Sequence, residues 1–260
     1  MEPFLKTDMC TIYNKDCVEA MKHIPTESVD LILTSPPYNI NKEYETNLSI
    51  HDYIKWSKSW IDASTSLLKP DGTFWLNVGY TKSYPNAKCM PLNYLLWDKI
   101  PMYFMQEVVW HYKAGVACKK YFSPRNEKLL WYVKDYKNYK FNLDAIREPH
   151  DQSKCTCGTR NGKKRCNPNG KNPTNVWTIT RVTAGKNRSS KERTPHPAQF
   201  PEKLIEKCIL ASTNEGDTIL DPFMGSGTTA VVALKHKRKV IGMELNKNYC
   251  RIIKKRLNID

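Results

Sequence analysis

The chain has no apolar run approaching the roughly eighteen residues that a membrane-spanning helix needs, so that class is excluded. Nothing behind Met1-Glu2-Pro3-Phe4-Leu5-Lys6 is long and apolar enough for the core of a signal peptide, and a cytoplasmic location is expected. In that setting the nine cysteines are expected as free thiols or ligands rather than disulfides, and no two of them form a Cys-x2-Cys pair. There is no internal repeat. Acidic residues are scarce: 26 Asp and Glu stand against 41 Lys and Arg, a net charge of +15. A polyanionic partner fits that balance, although charge alone does not separate nucleic acid from an anionic membrane.

At 260 residues the chain is one large domain or one domain with an insert. Forty per cent apolar residues, with seven Trp and fourteen Tyr, suffice for a real core. Val29-Asp30-Leu31-Ile32-Leu33 is expected to carry a short buried strand. Apolar residues near helical spacing predict a helix from Tyr53 to Leu68, stopped by Lys69-Pro70-Asp71-Gly72. Strands are expected over 73–78, 106–112 and 128–133, with a helix over 92–100 between them. Beyond a polar stretch come a helix over 201–211, a strand over 218–220, a helix over 228–234, a strand over 240–243 and a last basic helix over 248–257. This alternation predicts an α/β fold, a mostly parallel sheet with helices on both faces.

Two short segments at opposite ends of the chain carry the chemistry. Thr34-Ser35-Pro36-Pro37-Tyr38-Asn39 follows the first apolar strand, and Asp221-Pro222-Phe223-Met224-Gly225-Ser226-Gly227-Thr228-Thr229 follows Thr218-Ile219-Leu220. A parallel sheet binds ligands at the carboxyl ends of its strands, and the second segment sits at such an end. Gly225 and Gly227 allow a sharp turn and close approach to a ligand, and free amides at a helix start suit a carboxylate. The spacing is not that of a dinucleotide fingerprint, and no lysine follows as in a phosphate-binding loop. Glu244 ends the next strand, where an acid can take both hydroxyls of a ribose.

With these motifs the chain resembles the DNA amino-methyltransferases, in the permuted beta-class arrangement with the catalytic motif first and the glycine loop last. The resemblance covers all but about residues 146–194. It implies a Rossmann-like S-adenosylmethionine-dependent methyltransferase fold: residues 1–145 as the catalytic half, 146–194 as a target-recognition insert and 195–260 as the cofactor-binding half. It implies S-adenosylmethionine held by Asp221, Phe223, Gly225, Ser226, Gly227 and Thr228, with Glu244 and Asn246 at the ribose. Asp16 matches the acid that holds the adenine amine, and His196 to Phe200 match a segment lying along the cofactor. Ser35, Pro36, Pro37 and Tyr38 become the catalytic tetrad. The Ser35 hydroxyl and the Pro36 carbonyl would draw the amine hydrogens out of the base plane, and Tyr38 would offer a face for stacking. In this family Ser at the first tetrad position usually accompanies N4-cytosine methylation, whereas Asp or Asn accompanies N6-adenine methylation, so N4-methylcytosine is expected and N6-methyladenine is the alternative. The target base must leave the duplex, and the polar stretch 39–49 reads either as a loop closing over it or as ordinary surface.

Residues 151–194 hold eleven Lys and Arg against Asp151 and Glu192, which is +9 of the +15. Lys163, Lys164, Arg165, Lys171, Arg181, Lys186 and Arg188 are the expected contacts to double-stranded DNA. Cys155, Cys157 and Cys166, with His150 upstream, read as free thiols, with zinc as the other reading. A homodimer and a cognate restriction endonuclease are further expected partners. The rivals from other classes are a catalytically idle DNA-binding protein, against which the intact motifs argue, and a protein-glutamine methyltransferase, which motif order disfavours.

Overall fold

The computed structural model describes residues 1–82, 86–115, 117–149, 158–160, 163–164, 167–183 and 190–259, with only the backbone of Arg160, Lys163 and Lys164. The strands are β1 (Leu5–Lys6), β2 (Cys10–Tyr13), β3 (Val29–Thr34), β4 (Leu68–Val78), β5 (Tyr80–Thr81), β6 (Met90–Pro91), β7 (Tyr103–His111), β8 (Asn126–Val133), β9 (Thr159–Arg160), β10 (Lys163–Lys164), β11 (Val176–Thr178), β12 (Thr218–Asp221) and β13 (Lys239–Met243). The helices are α1 (Cys17–Met21), α2 (Ile50–Thr65), α3 (Leu92–Leu96), α4 (Leu143–Ile146), α5 (Glu202–Ser212), α6 (Thr228–Lys235) and α7 (Lys247–Arg256). Among the described residues no helix is long and apolar enough to cross a membrane.

Among the described residues nine strands form one sheet in the order β1-β2-β13-β12-β3-β4-β8-β7-β11. From β2 to β4 the five strands run parallel. β8 is antiparallel between β4 and β7, and β11 runs parallel to β7 at the edge. Every residue of β3 is buried, as a central parallel strand covered on both faces requires. Along β4 side chains alternate: Phe74, Leu76 and Val78 pack with Trp60, Leu92 and Tyr132 on one face, while Trp75 joins the core under α5 and α6 on the other. The β4–β8 register sets Trp75 opposite Trp131, and their rings stack at 5.1 Å.

The helix expected up to Leu68 ends at Thr65, and β4 already begins at Leu68. Lys69-Pro70-Asp71-Gly72 is an irregularity inside that strand: the pairing with β3 jumps from Val29↔Leu68 to Leu31↔Thr73. The helix expected over 92–100 ends at Leu96, with Trp97 as its C-cap. Val176–Thr178, from the stretch expected as an insert, pairs with β7 and so belongs to the main sheet; Trp177 is buried there against Trp75.

This topology places the two motifs side by side. β12 continues through α6 to β13 on one side, and β3 continues through α2 to β4 on the other. The strand order therefore reverses between β12 and β3, which opens a crevice at their carboxyl ends. At the opposite ends of the same strands Asp30 is a buried anchor. It accepts from Lys140 at 2.7 Å, Lys69 at 2.9 Å and the Thr218 amide at 2.9 Å.

Candidate active site

A cavity of about 800 Å³ fills the crevice. Its wall brings together Ser35, Pro36, Pro37 and Tyr38 from the loop after β3, Phe223, Gly225 and Ser226 from the loop after β12, Asp16, His196, Phe200, Glu244 and Asn246. Three of the residues expected to hold the cofactor, Asp221, Gly227 and Thr228, are not on this wall. Asp221 is fully buried and joins the two motif loops: it accepts from Thr34 Oγ1 at 2.7 Å, Thr229 Oγ1 at 2.6 Å and the Phe223 amide at 3.1 Å. Burial raises its carboxyl to about 6 against the pull of those donors. Gly227 begins α6 at φ +80°, where a Cβ would meet Ile253 at 2.9 Å. Thr228 Oγ1 accepts from Arg256 at 3.0 Å. These residues shape the glycine loop from behind.

On the glycine-loop side Gly225, at φ +53°, donates its amide to Glu244 Oε2 at 2.9 Å, and the Asn246 amide donates to Oε1 at 2.7 Å. Burial nevertheless raises the Glu244 carboxyl to about 7. Asp16 caps α1, accepting from the Val18 and Glu19 amides with Oδ1. His196 lies between Tyr44, stacked at 5.8 Å, and Tyr249, edge-on at 4.4 Å. Burial lowers its imidazole to about 4, so the ring is neutral near pH 7. A Cβ on Gly225 would lie 3.1 Å from His196 Nε2, so the turn and the ring are fitted to each other.

The tetrad side holds a polar network. Tyr38 Oη lies 3.0 Å from Ser35 Oγ and donates to Glu127 Oε2 at 3.0 Å. Asn77 Nδ2 donates to Tyr38 Oη at 2.8 Å and Glu127 Oε2 at 2.9 Å, and lies 3.3 Å from Ser35 Oγ. Burial, then the Glu127 charge, holds the Tyr38 phenol well above its ordinary range, so it stays neutral. Tyr53 donates to the Pro37 carbonyl at 2.8 Å. The stretch after the tetrad is held by two carboxylates, and its Lys42, Tyr44 and Thr46 line the cavity. Glu45 accepts from the amides of Tyr38, Ile40 and Lys42, and Glu43 accepts from Tyr249 at 3.0 Å.

Sequence reasoning missed Asn77 and Glu127. Asn77 had a signal, a lone amide near the carboxyl end of an otherwise apolar strand. Glu127 had none, because it reaches the site only through the β4–β8 pairing. Of the expected DNA contacts, Arg181 lines the cavity and lies over the Tyr112 ring at 4.8 Å, and Lys171 is exposed. The backbone of Lys163 and Lys164 pairs with Thr159–Arg160. Arg165, Lys186 and Arg188 lie outside the described residues, as do His150, Cys155, Cys157 and Cys166. Among the described residues no cluster of His, Cys, Asp or Glu could hold a metal ion.

The sequence model of the family described as DNA methylase, covering N6 and N4 enzymes, matches residues 29–255. The type II methyltransferase M.ScaI of Streptomyces caespitosus is 49% identical over 259 residues, spanning 100% of this chain and 84% of the relative. The DNA adenine methyltransferase YhdJ of Escherichia coli K12 is 35% identical, spanning 96% of this chain and 83% of its own. Among solved structures, the cytosine-N4-specific PvuII DNA methyltransferase superposes with a TM-score of 0.74 at 23% identity, covering 98% of this chain and 88% of that one. M1.HpyAVI, solved as a complex with S-adenosylmethionine, gives 0.64 at 24% identity, covering 96% and 100%. Both structures share the fold of S-adenosylmethionine-dependent methyltransferases.

Proposed function

Because the chain belongs to the N6/N4 DNA methylase family, we propose that it methylates the exocyclic N4 amine of cytosine in double-stranded DNA, with S-adenosylmethionine as donor. The observation that carries this reading is the bonding of Ser35. Tyr38 has one hydroxyl hydrogen, and the Glu127 carboxylate is the strongest acceptor in reach. Ser35 therefore donates to Tyr38 Oη and keeps a lone pair for an amine hydrogen. The Pro36 carbonyl is the second acceptor. An amine conjugated to its ring has almost no free lone pair. Two acceptors that draw its hydrogens out of plane make the nitrogen more tetrahedral and leave that pair exposed. The Tyr38 ring offers a face for the extruded base, and the proton leaves the nitrogen after bond formation.

The glycine-loop side of the cavity suits the cofactor. Glu244 is held by two backbone amides with lone pairs left for ribose hydroxyls. Asp16 stands at the cavity wall for the adenine amine, and Phe200 supplies an apolar surface. The turn at Gly225 leaves room for a carboxylate beside backbone amides. When bound, S-adenosylmethionine supplies an already activated methyl group on a sulfonium. The chain's own part is then positioning, bringing nucleophile and methyl to roughly 3 Å in line.

Ser35 is neutral and short, which suits the smaller ring of cytosine, and the PvuII enzyme supports that base. The second reading, N6-adenine, is favoured by the kinship with YhdJ and by the similar amine-beside-ring-nitrogen edge of the two bases. The type II relatives support a companion restriction endonuclease. Ser35→Ala tests the proposal: most of kcat should be lost with cofactor affinity retained in calorimetry. Unchanged turnover would remove Ser35 from the site chemistry.

A further inference from the structure

We propose that the turn between β7 and β8 is a second DNA-contacting element, and that Phe122 at its tip is a wedge that enters the base stack when the target base leaves it. This rests on the reading of the chain as a duplex-DNA methyltransferase. The turn leaves the sheet at the same end of the strands as the cavity: Trp110, near the end of β7, and Glu127, near the start of β8, both line it and pair with each other. Phe122 is five residues before Glu127, so at about 3.3 Å per residue the tip lies within roughly 17 Å of the tetrad network.

Phe122 is 100% exposed, whereas a phenylalanine ring is ordinarily buried. The turn that displays it is nevertheless built. The Cys118 amide donates to Ser123 Oγ at 2.9 Å, and the Tyr112 amide donates to the Arg125 carbonyl at 2.9 Å. Lys88 sits 4.1 Å over the Tyr121 ring. From Val108 to Asn126 there are four cations, Lys113, Lys119, Lys120 and Arg125, and no acid. An apolar ring flanked by cations suits a polyanion with flat faces to stack on. A base swung out leaves a gap about one base step, 3.4 Å, wide, and aromatic side chains serve as wedges in such steps. A site that extrudes a base gains from filling that gap, because the cost of unstacking otherwise falls on the base pocket alone.

The test uses the full chain and duplexes carrying the site that it methylates in plasmid DNA. Single-turnover methylation is compared with the target base paired and with it opposite an abasic position, where extrusion costs least. Phe122→Ala should slow the paired duplex by roughly ten-fold or more, lose most of that defect on the abasic duplex, and leave S-adenosylmethionine affinity unchanged. Phe122→Trp should stay near the parent. Replacing Lys119 and Lys120 with Gln should shallow the log-affinity against log-salt slope by up to about 1.8. An equal rate for Phe122→Ala and the parent on paired DNA, or the same defect on both duplexes, would overturn the wedge; a turn that serves a protein partner would give the first result. A parent chain that leaves plasmid DNA unmethylated would instead overturn the underlying methyltransferase reading, and the wedge with it.

Discussion

Replacing Asp221 separates a residue that holds the site from one that touches its ligands. Asp221→Ala removes the acceptor for Thr34, Thr229 and the Phe223 amide. It leaves three donors to re-pair, two of them buried, and a small void, and the cost should be about 3 kcal/mol or more. Asp221→Asn is close to isosteric. Its oxygen can keep Thr34 and the Phe223 amide, and its amide can donate to Thr229 if that hydroxyl turns. Its behaviour with pH is the sharper readout. The native carboxyl titrates near 6 instead of 3.8 because it is buried. A raised native pKa means that the unfolded chain ionises first. The stability this group contributes is full below about pH 4 and is lost as pH rises through about 6. The loss amounts to about 3 kcal/mol for a shift of this size. Asn does not titrate, so its stability relative to the parent should rise by about that amount between pH 4 and 7. Urea unfolding of both proteins across this range measures it. A difference that stays flat, or falls with rising pH, would refute the idea that a desolvated carboxyl ties the two loops together.

Tyr38→Ala should slow methylation by roughly ten-fold or more, because it removes both the stacking face and the anchor of Ser35, while calorimetry finds cofactor affinity little changed. Glu244 should make cofactor binding pH-dependent. Its carboxyl titrates near 7 and accepts ribose hydroxyls best when ionised, so affinity should rise by up to about ten-fold between pH 6 and 8, and Glu244→Gln should flatten that profile. At the other end of the strands, burial alone would raise Asp30, but Lys140, the Thr218 amide and Lys69 together hold it below the usual carboxylate range. Its stabilisation is present above the unfolded pKa and lost as pH falls through the lowered native one. Asp30→Asn should therefore cost about 1–3 kcal/mol near pH 7, with the gap to the parent closing in acid melts.

What could be read from the sequence was local. Ser35 to Tyr38 and Asp221 to Thr228 stood out because each follows a short apolar strand, and loops at strand ends are where an α/β sheet places ligands. Glu244 was legible for the same reason. What could not be read depends on pairings distant in sequence. Glu127 meets Tyr38 only because β8 lies antiparallel to β4, with Asn77 opposite Leu129 and Val78 opposite Lys128. Asp221 looked like a ligand because it opens the glycine motif, but a buried carboxyl facing Thr34 from 187 residues away is a tie between halves. Pro70-Asp71-Gly72 carried a strong turn signal, yet β3 and the core hold it as a bulge inside β4. The basic stretch was visible from charge alone, and charge does not say which lysines touch phosphate.

The most direct test of the whole account is nucleoside mass spectrometry of duplex DNA incubated with the purified chain and isotope-labelled S-adenosylmethionine. Label is expected in N4-methylcytosine, and is expected to be absent with Ser35→Ala. Label confined to N6-methyladenine would contradict the base assignment, and DNA without label would contradict the methyl-transfer site built from Ser35, Tyr38, Gly225 and Glu244.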